Sequence, residues 1–353
     1  MEYSIMTTNR CNLRCSYCIN SAKRGKAPSL KASAPKIIKH ITEDSQKNHY
    51  DPVIITFYGG EPLLETEFLR EIMDGTRKIN PGFHLFTNGT LLSENNLPLL
   101  NKMNMISISM DADSEIYDST RGKGTHKKVM DNYLKIRKKL KASTLAFVTL
   151  TLKSSLYRSI AGLTDHFDNV FWFLENSGTE IGIEGFLKQY DSDLDRVLSR
   201  WMANLRKGKV LNLVPFQGLY DVIMEKHVYS GLPCGIGENY QALAIDGSIY
   251  TCEDSYHNKI GDMDTGADME KAHQHGKFVI CGSCAVKRIC AGRCVVPHLN
   301  FSPAKVEFYC KCSKMLIEKF MSALPEIKKI VSTGKISENQ LMNRITRFTD
   351  VIP

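Results

Sequence analysis

The run CNLRCSYC, residues 11–18, places Cys11, Cys15 and Cys18 in one short segment directly after a predicted first strand, Tyr3–Thr8. The spacing is C-x3-C-x2-C. Three thiolates this close together can hold three irons of a 4Fe–4S cluster and leave the fourth iron without a protein ligand. An iron with an open position can bind a substrate directly. The run therefore predicts a cluster on the loop that leaves the first strand.

The composition limits the class of protein. The chain has 353 residues, of which 42% are hydrophobic and 24% charged, which fits a soluble globular protein of two domains or one large domain with an appendage. Its apolar stretches are too short for a membrane span, and Met1 runs almost directly into the first strand, so no signal peptide is expected. These features predict a cytoplasmic protein, in which eleven cysteines favour metal ligands over disulfides.

The formal net charge is +8, and basic clusters such as Arg137–Lys141 lie on helix-like segments. A solvated helix face is the preferred interpretation of these basic clusters. Surfaces that bind single-stranded nucleic acid combine basic residues with aromatic side chains that stack on the bases, and no aromatic residues lie between the basic residues here. A second interpretation is that the positive charge attracts an acidic peptide segment. We therefore expect neither a nucleic-acid nor a membrane partner.

Strand-like apolar runs alternate with helical patterns through the first half of the chain. The predicted strands are Tyr3–Thr8, Val53–Phe57, Phe83–Phe86, Met105–Met110, Thr144–Leu152 and Val170–Leu174. The predicted helices are Ala34–Gln46, Glu65–Ile79, Ser93–Lys102, Lys127–Lys139 and Ser154–Phe167, the first capped by Ser33 with Pro35 in its first turn. Six such units predict an α/β fold with a parallel sheet, closed as a partial (β/α)6 barrel that binds its ligand at the carboxyl ends of the strands.

Polar and glycine-containing motifs follow three of these strands. They are YGGEP at 58–62, TNGT at 87–90 and SISMDAD at 107–113, with Arg121 further along. Taken singly, each motif is weak, because a Gly-Gly pair or a Thr-Asn-Gly run is usually an ordinary turn. Their position at the carboxyl ends of the predicted strands agrees with the ligand-binding edge of such a barrel.

Together with the cysteine triplet, this order of motifs resembles the radical S-adenosylmethionine (SAM) superfamily. The alternative is an α/β fold with incidental cysteines. The resemblance implies that SAM is chelated by the open iron through its amino and carboxylate groups. It implies the following SAM-binding residues: Gly59, Gly60 and Glu61 at the amino group, Thr87, Asn88, Ser109 and Asp111 along the pocket, Arg121 at the carboxylate and Tyr17 near the adenine.

A second group of eight cysteines lies between Cys234 and Cys312, after more than two hundred residues without any. Their layout includes C-x2-C-x5-C-x3-C over Cys281–Cys294. The pattern resembles the SPASM domain of peptide- and protein-modifying radical SAM enzymes, which implies two auxiliary 4Fe–4S clusters and three clusters in all. Structural zinc is the alternative, since C-x2-C pairs also serve that metal.

The resemblance also implies a ligand set for each auxiliary cluster. The second takes Cys281, Cys284, Cys290 and either Cys310 or Cys312, of which the sequence context favours Cys310. The first takes Cys234, Cys252 and Cys294, while Tyr240 stands where some relatives supply a fourth cysteine. Three interpretations of Tyr240 stay open: an iron left open, a phenolate ligand to iron, or a residue that packs in the core.

The pair Glu238-x-Tyr240 resembles a feature of SPASM enzymes that form cyclopropane rings on Val or Ile side chains of ribosomal peptides. The resemblance implies an oxidoreductase in which a 5′-deoxyadenosyl radical abstracts hydrogen from a precursor peptide and a crosslink closes. A thioether or another C–C crosslink is an alternative product. Formylglycine formation, as in sulfatase maturation, is a second alternative, and a non-catalytic metal-binding scaffold is a third.

The reaction also requires a base and an electron donor. Glu238, Glu253 and Asp254 are candidate bases, although a surface or hydrogen-bonding carboxylate is the preferred interpretation of each. The partners implied are the precursor peptide and a donor such as flavodoxin or ferredoxin. The resemblance divides the chain into a barrel at 1–188, a bridging region at 189–230, a SPASM domain at 231–325 and a helical tail at 326–353. Many peptide-modifying relatives carry a leader-binding domain before the barrel, but none is expected here because the predicted barrel starts at Met1.

Overall fold

The protein is described by a computed structural model for residues 1–19, 30–176, 180–226, 229, 231–255, 257–342 and 352–353. It has two compact units, each assembled from separate stretches of sequence. The first unit comprises Met1–Met110, Tyr117–Leu145 and Gly235–Lys277, and the second comprises Asp111–Ile116, Ala146–Cys234 and Phe278–Pro353. The domain boundaries predicted from the sequence stay predictions, and residues 343–351 of the predicted tail lie outside the described residues. Within the described ranges, no helix combines the length and apolar character needed to cross a membrane.

The strands are, in chain order, β1 (Glu2–Thr8), β2 (Ile54–Gly59), β3 (Gly82–Thr87), β4 (Met105–Ser109), β5 (Ser143–Leu150), β6 (Asn169–Leu174), β7 (Tyr240–Ala244), β8 (Ser248–Tyr250), β9 (Lys259–Asp262) and β10 (Gly266–Ala267). The α-helices are α1 (Leu30–Asn48), α2 (Thr66–Thr76), α3 (Leu97–Leu100), α4 (Ser114–Arg121), α5 (Thr125–Arg137), α6 (Leu156–Ile160), α7 (Ile183–Arg206), α8 (Val214–Ile223), α9 (Met269–His275), α10 (Lys287–Cys290), α11 (Val295–Asn300), α12 (Pro303–Ser332) and α13 (Glu338–Leu341).

The first unit is built on a sheet with the strand order β10-β9-β8-β7-β1-β2-β3-β4. Strands β1 to β4 pair in parallel, as predicted, and β7 also pairs with β1 in parallel, with Glu2 opposite Tyr240. Strands β7 to β10 run antiparallel. All seven residues of β1 are buried, which matches its central position between β7 and β2. The α/β class with a parallel sheet is therefore confirmed.

Two helix predictions are wrong in instructive ways. Helix α1 begins at Leu30, so Ser33 lies inside the helix, and its hydroxyl donates to the carbonyl of Ile245 at 2.5 Å instead of capping. The helix predicted over Ser154–Phe167 is only the short α6 followed by a 3₁₀ turn at Leu163–Asp165. Gly162 between them has a φ of +76°, a left-handed conformation that ends an α-helix.

The second unit has an aromatic core between its long helices. The rings of Trp201 and Phe216 lie 5.2 Å apart, and Phe320 on α12 lies 6.0 Å from Trp201. Lys319 on α12 forms ion pairs with Asp191 at 3.0 Å and with Asp195, both on α7. Helix α7 begins at Ile183, ahead of the predicted bridging region, and its apolar stripe includes buried Phe186 and Tyr190.

Buried His84 on β3 leads to a prediction about pH. Its Nε2 lies 2.8 Å from the Ser107 hydroxyl on β4, and burial lowers the pKa of His84 to about 3. Between pH 6.5 and about 3 the unfolded chain then binds more protons at this position than the folded one, so acidification destabilises the fold. Between pH 7.5 and 5.5, we expect the free energy of unfolding of the cluster-free protein to fall by about 1.4 kcal/mol more than that of a His84→Gln variant. Urea unfolding of both proteins measures this difference. Parallel pH profiles for the two proteins would contradict it.

Candidate functional site

The loop after β1 carries the three cysteines, and polar donors of the first unit surround two of them. The backbone N–H of Leu13 lies 3.4 Å from the Cys11 Sγ atom, and the Asn88 amide Nδ2 lies 3.7 Å from it. The Arg121 Nη1 atom lies 3.9 Å from the Cys15 Sγ atom. Burial raises the pKa of Cys11, and the Leu13 and Asn88 donors oppose this effect by favouring the thiolate, which is the form that ligates metal. The three thiols are half-buried.

The two glycines after β2 are required by the close approach of the cysteine loop. A Cβ atom at Gly60 would lie 2.0 Å from the carbonyl oxygen of Arg10, and one at Gly59 would lie 2.7 Å from that of Thr8. The Gly60 N–H donates to the Thr8 carbonyl at 2.7 Å, and the Glu61 N–H donates to the Arg10 carbonyl at 2.9 Å. These contacts fix the backbone that leads into Cys11. The predicted contact of Gly59 and Gly60 with SAM stays a prediction.

Glu61 is fully buried and joins the ends of β2 and β3. Its Oε1 atom accepts hydrogen bonds from the Thr87 hydroxyl at 2.7 Å and from the Leu63 N–H at 3.1 Å. Its Oε2 atom accepts from the Asn88 N–H at 2.8 Å. Burial raises the pKa of Glu61 to about 7, against the opposing effect of the three donors. The predicted residues Glu61, Thr87 and Asn88 are thus in one hydrogen-bonded group.

Asn88 connects this group to the cysteine loop through residues that the sequence analysis missed. Its Nδ2 atom donates to the Asn12 Oδ1 atom at 2.9 Å, and its Oδ1 atom accepts from the Thr90 hydroxyl at 2.6 Å. Asn12 in turn donates to the Thr90 hydroxyl oxygen at 2.7 Å. The only available signal was position: Asn12 follows Cys11 directly, and Thr90 ends the TNGT motif.

Arg121 and Tyr17 also lie together in the first unit. The Arg121 guanidinium carbon is 5.3 Å from the centre of the Tyr17 ring and 5.0 Å from that of Tyr117. The Tyr117 hydroxyl donates to the carbonyl of Ser109 at 2.9 Å, so the end of β4 adjoins the same cation. Asp111 is buried and belongs to the second unit.

In the second unit, the cysteines predicted to hold the second auxiliary cluster affect one another's pKa values. Burial raises the pKa values of Cys281, Cys290 and Cys310, and the negative charges of neighbouring thiolates raise them further. The charge of Cys310 raises the pKa values of Cys281 and Cys290. The charge of Cys284 raises those of Cys281 and Cys310. Cys312 is only 1% exposed on the buried side of α12 and raises the pKa of Tyr190.

The cysteines predicted for the first auxiliary cluster belong to both units. Cys294 is buried and Cys234 half-buried in the second unit, while Cys252 is half-buried in the first. Across the described ranges, with their gaps, no group of three His, Cys, Asp or Glu side chains is spaced to hold a single metal ion.

Tyr240 contacts one of the predicted bases, Glu253, in the first unit. The buried Tyr240 hydroxyl donates to the Glu253 carboxylate, whose Oε2 atom lies 3.7 Å from the Cys252 Sγ atom. Burial and the charge of Glu253 raise the pKa of Tyr240 well above its usual value, and burial also raises the pKa of Glu253. The Tyr58 hydroxyl donates to Asp254 at 3.1 Å. Glu238 is half-buried in the turn before β7.

Residues 5–153 match the Radical SAM superfamily. The chain is 23% identical over 380 residues to the cysteine-type anaerobic sulfatase-maturating enzyme of Clostridium novyi (strain NT), covering 92% of this chain and 96% of the relative. It is 21% identical over 324 residues to the radical SAM cyclopropyl synthase TigE of Paramaledivibacter caminithermalis, covering 82% and 67% of the two chains. The solved structure titled "Native anSMEcpe with bound AdoMet and Cp18Cys peptide" shares the fold with a TM-score of 0.73 and 21% identity, over 94% of this chain and 99% of that chain. Residues 5–153 therefore carry a Radical SAM segment, and the chain is an enzyme similar along most of its length to one that modifies proteins.

Proposed function

We propose that this enzyme modifies a ribosomally made precursor peptide by hydrogen abstraction and closes an intramolecular crosslink, and that this crosslink is a cyclopropane on a Val or Ile side chain. The observation that carries the proposal is the cysteine triplet held among the Asn88 and Arg121 donors, in a chain with a second group of eight cysteines. Glu238-x-Tyr240 and the likeness to TigE support the cyclopropane.

The residues around the triplet fit the cofactors that the superfamily implies. Cys11, Cys15 and Cys18 would hold a 4Fe–4S cluster, because they lie on one loop and N–H donors face the sulfurs of Cys11 and Cys15. When bound, the reduced cluster and SAM supply the 5′-deoxyadenosyl radical that removes a hydrogen atom from the peptide. In this proposal the Glu61 group positions the SAM amino end, and Arg121 and Tyr17 hold its carboxylate and adenine.

Two auxiliary 4Fe–4S clusters complete the proposed cofactor set, within a partial (β/α)6 barrel followed by a SPASM domain. The second auxiliary cluster is assigned to Cys281, Cys284, Cys290 and Cys310. Supporting this choice, the charge of Cys310 raises the pKa values of Cys281 and Cys290. When bound, an auxiliary cluster would supply an acceptor for the second electron of the peptide radical, and a carboxylate of this chain would take the proton.

The choice of Cys310 over Cys312 predicts different iron contents for two alanine variants. Cys310→Ala is expected to lose about four of about twelve irons after anaerobic reconstitution, since a cubane needs its ligands. Cys312→Ala is expected to keep them and to lose only packing around α12. Colorimetric iron and acid-labile sulfide determination checks both variants. The reverse pattern would assign the cluster to Cys312.

Tyr240 is proposed as an iron ligand, with Glu253 as the group that accepts its proton. Supporting this proposal, Glu253 already accepts a hydrogen bond from the Tyr240 hydroxyl, and Cys252 lies beside the same carboxylate. Tyr240→Phe is therefore expected to remove a phenolate-to-iron absorption band from the visible spectrum of the reconstituted enzyme.

Tyr58→Phe is the matched control for that variant, because its hydroxyl is also buried and donates to the adjacent carboxylate, Asp254. It is expected to leave the absorption band unchanged. An identical spectrum and iron content for Tyr240→Phe and the parent enzyme would show that Tyr240 only packs and hydrogen-bonds.

The likeness to the sulfatase-maturating enzyme over 92% of the chain favours a second candidate function, oxidation of Cys or Ser to formylglycine. Tyr240 stands against it, because the resemblance gives those enzymes a cysteine at that position. The base is proposed among Glu253, Asp254 and Glu238, and a flavodoxin or ferredoxin in the cytoplasm is proposed as the electron donor.

The test uses precursor peptides encoded beside the enzyme, incubated with reduced enzyme and SAM. Cyclopropane formation removes two hydrogen atoms and leaves every thiol free to react with iodoacetamide. A thioether consumes a thiol, and formylglycine reacts with a hydrazide probe. Deuterium from a labelled Val or Ile methyl group is expected in 5′-deoxyadenosine. Intact peptide after complete turnover of SAM, with every encoded candidate, would overturn the proposal.

A further inference from the structure

Three side chains beside Cys11 form a closed cycle of hydrogen bonds in the first unit. The Asn88 Nδ2 atom donates to the Asn12 Oδ1 atom at 2.9 Å, and the Asn12 Nδ2 atom donates to the Thr90 hydroxyl oxygen at 2.7 Å. The Thr90 hydroxyl closes the cycle by donating to the Asn88 Oδ1 atom at 2.6 Å. Each of these side chains therefore donates once and accepts once within the cycle.

A backbone donor fixes the direction in which this cycle runs. The Thr90 backbone N–H donates to the Asn88 Oδ1 atom at 2.9 Å, and because a backbone N–H can only donate, that atom is the oxygen of the carboxamide. The other end of the Asn88 carboxamide is then its NH2 group. Asn12 must present its own oxygen to this NH2 group and its own NH2 group to Thr90. The cycle therefore has a single consistent arrangement of donors and acceptors.

The cycle directs one N–H of Asn88 toward a cysteine of the triplet. A carboxamide NH2 group has two hydrogens, and the Asn12 oxygen accepts one of them. The same nitrogen lies 3.7 Å from the Cys11 Sγ atom, within reach of a hydrogen bond to sulfur. Asn88 is only 7% exposed and Thr90 only 4%, so water has little access to this donor. The second hydrogen of Asn88 is thus held for the Cys11 sulfur.

A donor at this sulfur would act on a bound cluster through charge. Hydrogen bonds to the cysteine sulfurs are among the features that set the reduction potential of an iron–sulfur cluster. One-electron reduction adds a negative charge that is shared with the sulfur ligands. An N–H dipole directed at a sulfur therefore stabilises the reduced form more than the oxidised form, and it makes reduction easier.

We propose that the cycle of Asn12, Asn88 and Thr90 raises the reduction potential of the cluster at the cysteine triplet. Asn88 is the donor to the Cys11 sulfur, and Asn12 and Thr90 are positioning residues that hold its carboxamide in the required orientation. This role rests on the part of the proposed function that places a cluster at the triplet, and not on the peptide substrate or the crosslink.

The test is a potentiometric titration of the reconstituted enzyme without peptide, followed by electron paramagnetic resonance. The signal of this cluster is identified in the parent enzyme as the one that changes when SAM is added. Asn88→Ala is expected to lower the ratio of reduced to oxidised cluster at a given potential by about tenfold, equivalent to about 59 mV for one electron. Asn12→Ala is expected to produce a smaller shift in the same direction, because the Asn88 carboxamide loses one of its anchors.

Thr90 offers a matched pair of variants. Thr90→Val removes the hydroxyl and breaks the cycle, so it is expected to lower the potential, whereas Thr90→Ser keeps the hydroxyl and is expected to retain the parent value. Asn132→Ala is the control for loosening of the same loop, because the Asn132 amide donates to the Thr90 carbonyl at 3.0 Å but takes no part in the cycle. It is expected to leave the potential unchanged.

Iron content verifies that each variant carries its clusters, and the Thr90 pair decides the outcome if Asn88→Ala does not load iron. Equal potentials for the parent enzyme and a fully loaded Asn88→Ala variant would overturn the proposed role of Asn88, as would equal values for Thr90→Val and Thr90→Ser. An equal shift in Asn132→Ala would assign the effect to loop packing instead of the cycle. Shifted potentials in an enzyme that leaves every peptide intact would overturn the proposed crosslinking function alone, and a triplet that binds no iron would overturn both.

Discussion

Cys15→Ala is expected to abolish the reductive cleavage of SAM. The variant removes one of three predicted iron ligands, together with the sulfur that receives the Arg121 Nη1 donor at 3.9 Å. We expect 5′-deoxyadenosine formation with dithionite to fall at least about a thousandfold, equivalent to about 4 kcal/mol of activation free energy. Iron content is expected to fall by about four per chain. Chromatography of the nucleoside and iron determination measure both effects.

Cys312→Ala is the control, because it also removes a single thiol but lies on the buried side of α12. It is expected to retain SAM cleavage and the full iron content. If Cys15→Ala still produced 5′-deoxyadenosine at the rate of the parent enzyme, the triplet would not be the SAM-cleaving centre.

Gly60→Ala is expected to reduce SAM cleavage almost as strongly as Cys15→Ala, because it displaces the backbone of the loop that leads to Cys11. Its Cβ atom would lie 2.0 Å from the carbonyl oxygen of Arg10, which is too close for any real contact, so the loop leading to Cys11 must move. Overpacking of this kind costs up to about 3 kcal/mol. We expect a lower free energy of unfolding and a loss of SAM cleavage of at least about a hundredfold, equivalent to about 2.7 kcal/mol.

Gly185→Ala is the matched control, since this exposed glycine on α7 has nothing within 4 Å of an added Cβ atom. Alanine there is expected to stabilise the fold by about 0.5 kcal/mol and to leave SAM cleavage unchanged. Normal activity and stability for Gly60→Ala would contradict the close approach that the structure describes.

The parallel strands and the motif-bearing loops could be predicted, because both depend on local patterns. Apolar runs marked β1 to β4 to within one or two residues, and the polar motifs fell at their carboxyl ends. The reason for the glycines could not be predicted in the same way. Gly59 and Gly60 press against Thr8 and Arg10, which are about fifty positions away in sequence, and a single sequence does not reveal such distant packing.

Long-range pairing also explains the larger omissions. Strand β7 was not predicted beside β1, although the apolar run after Tyr240 could have suggested a strand. The hydrogen bond from Tyr240 to Glu253 depends on the antiparallel pairing of β7 with β8, which places residues 240 and 252 near each other. Asn12 and Thr90 were missed because a single asparagine or threonine in a loop carries no periodic signal.

The interleaving of the two units has a consequence for synthesis and for protein engineering. A nascent chain that has reached Leu145 contains β1 to β4 but not β7, which pairs with β1 through residues 240–244. Until those residues emerge, one edge of β1 exposes unpaired backbone groups to other chains, a condition that promotes aggregation. A fragment cut at that point would be a poor candidate for expression, whereas full-length translation completes the sheet.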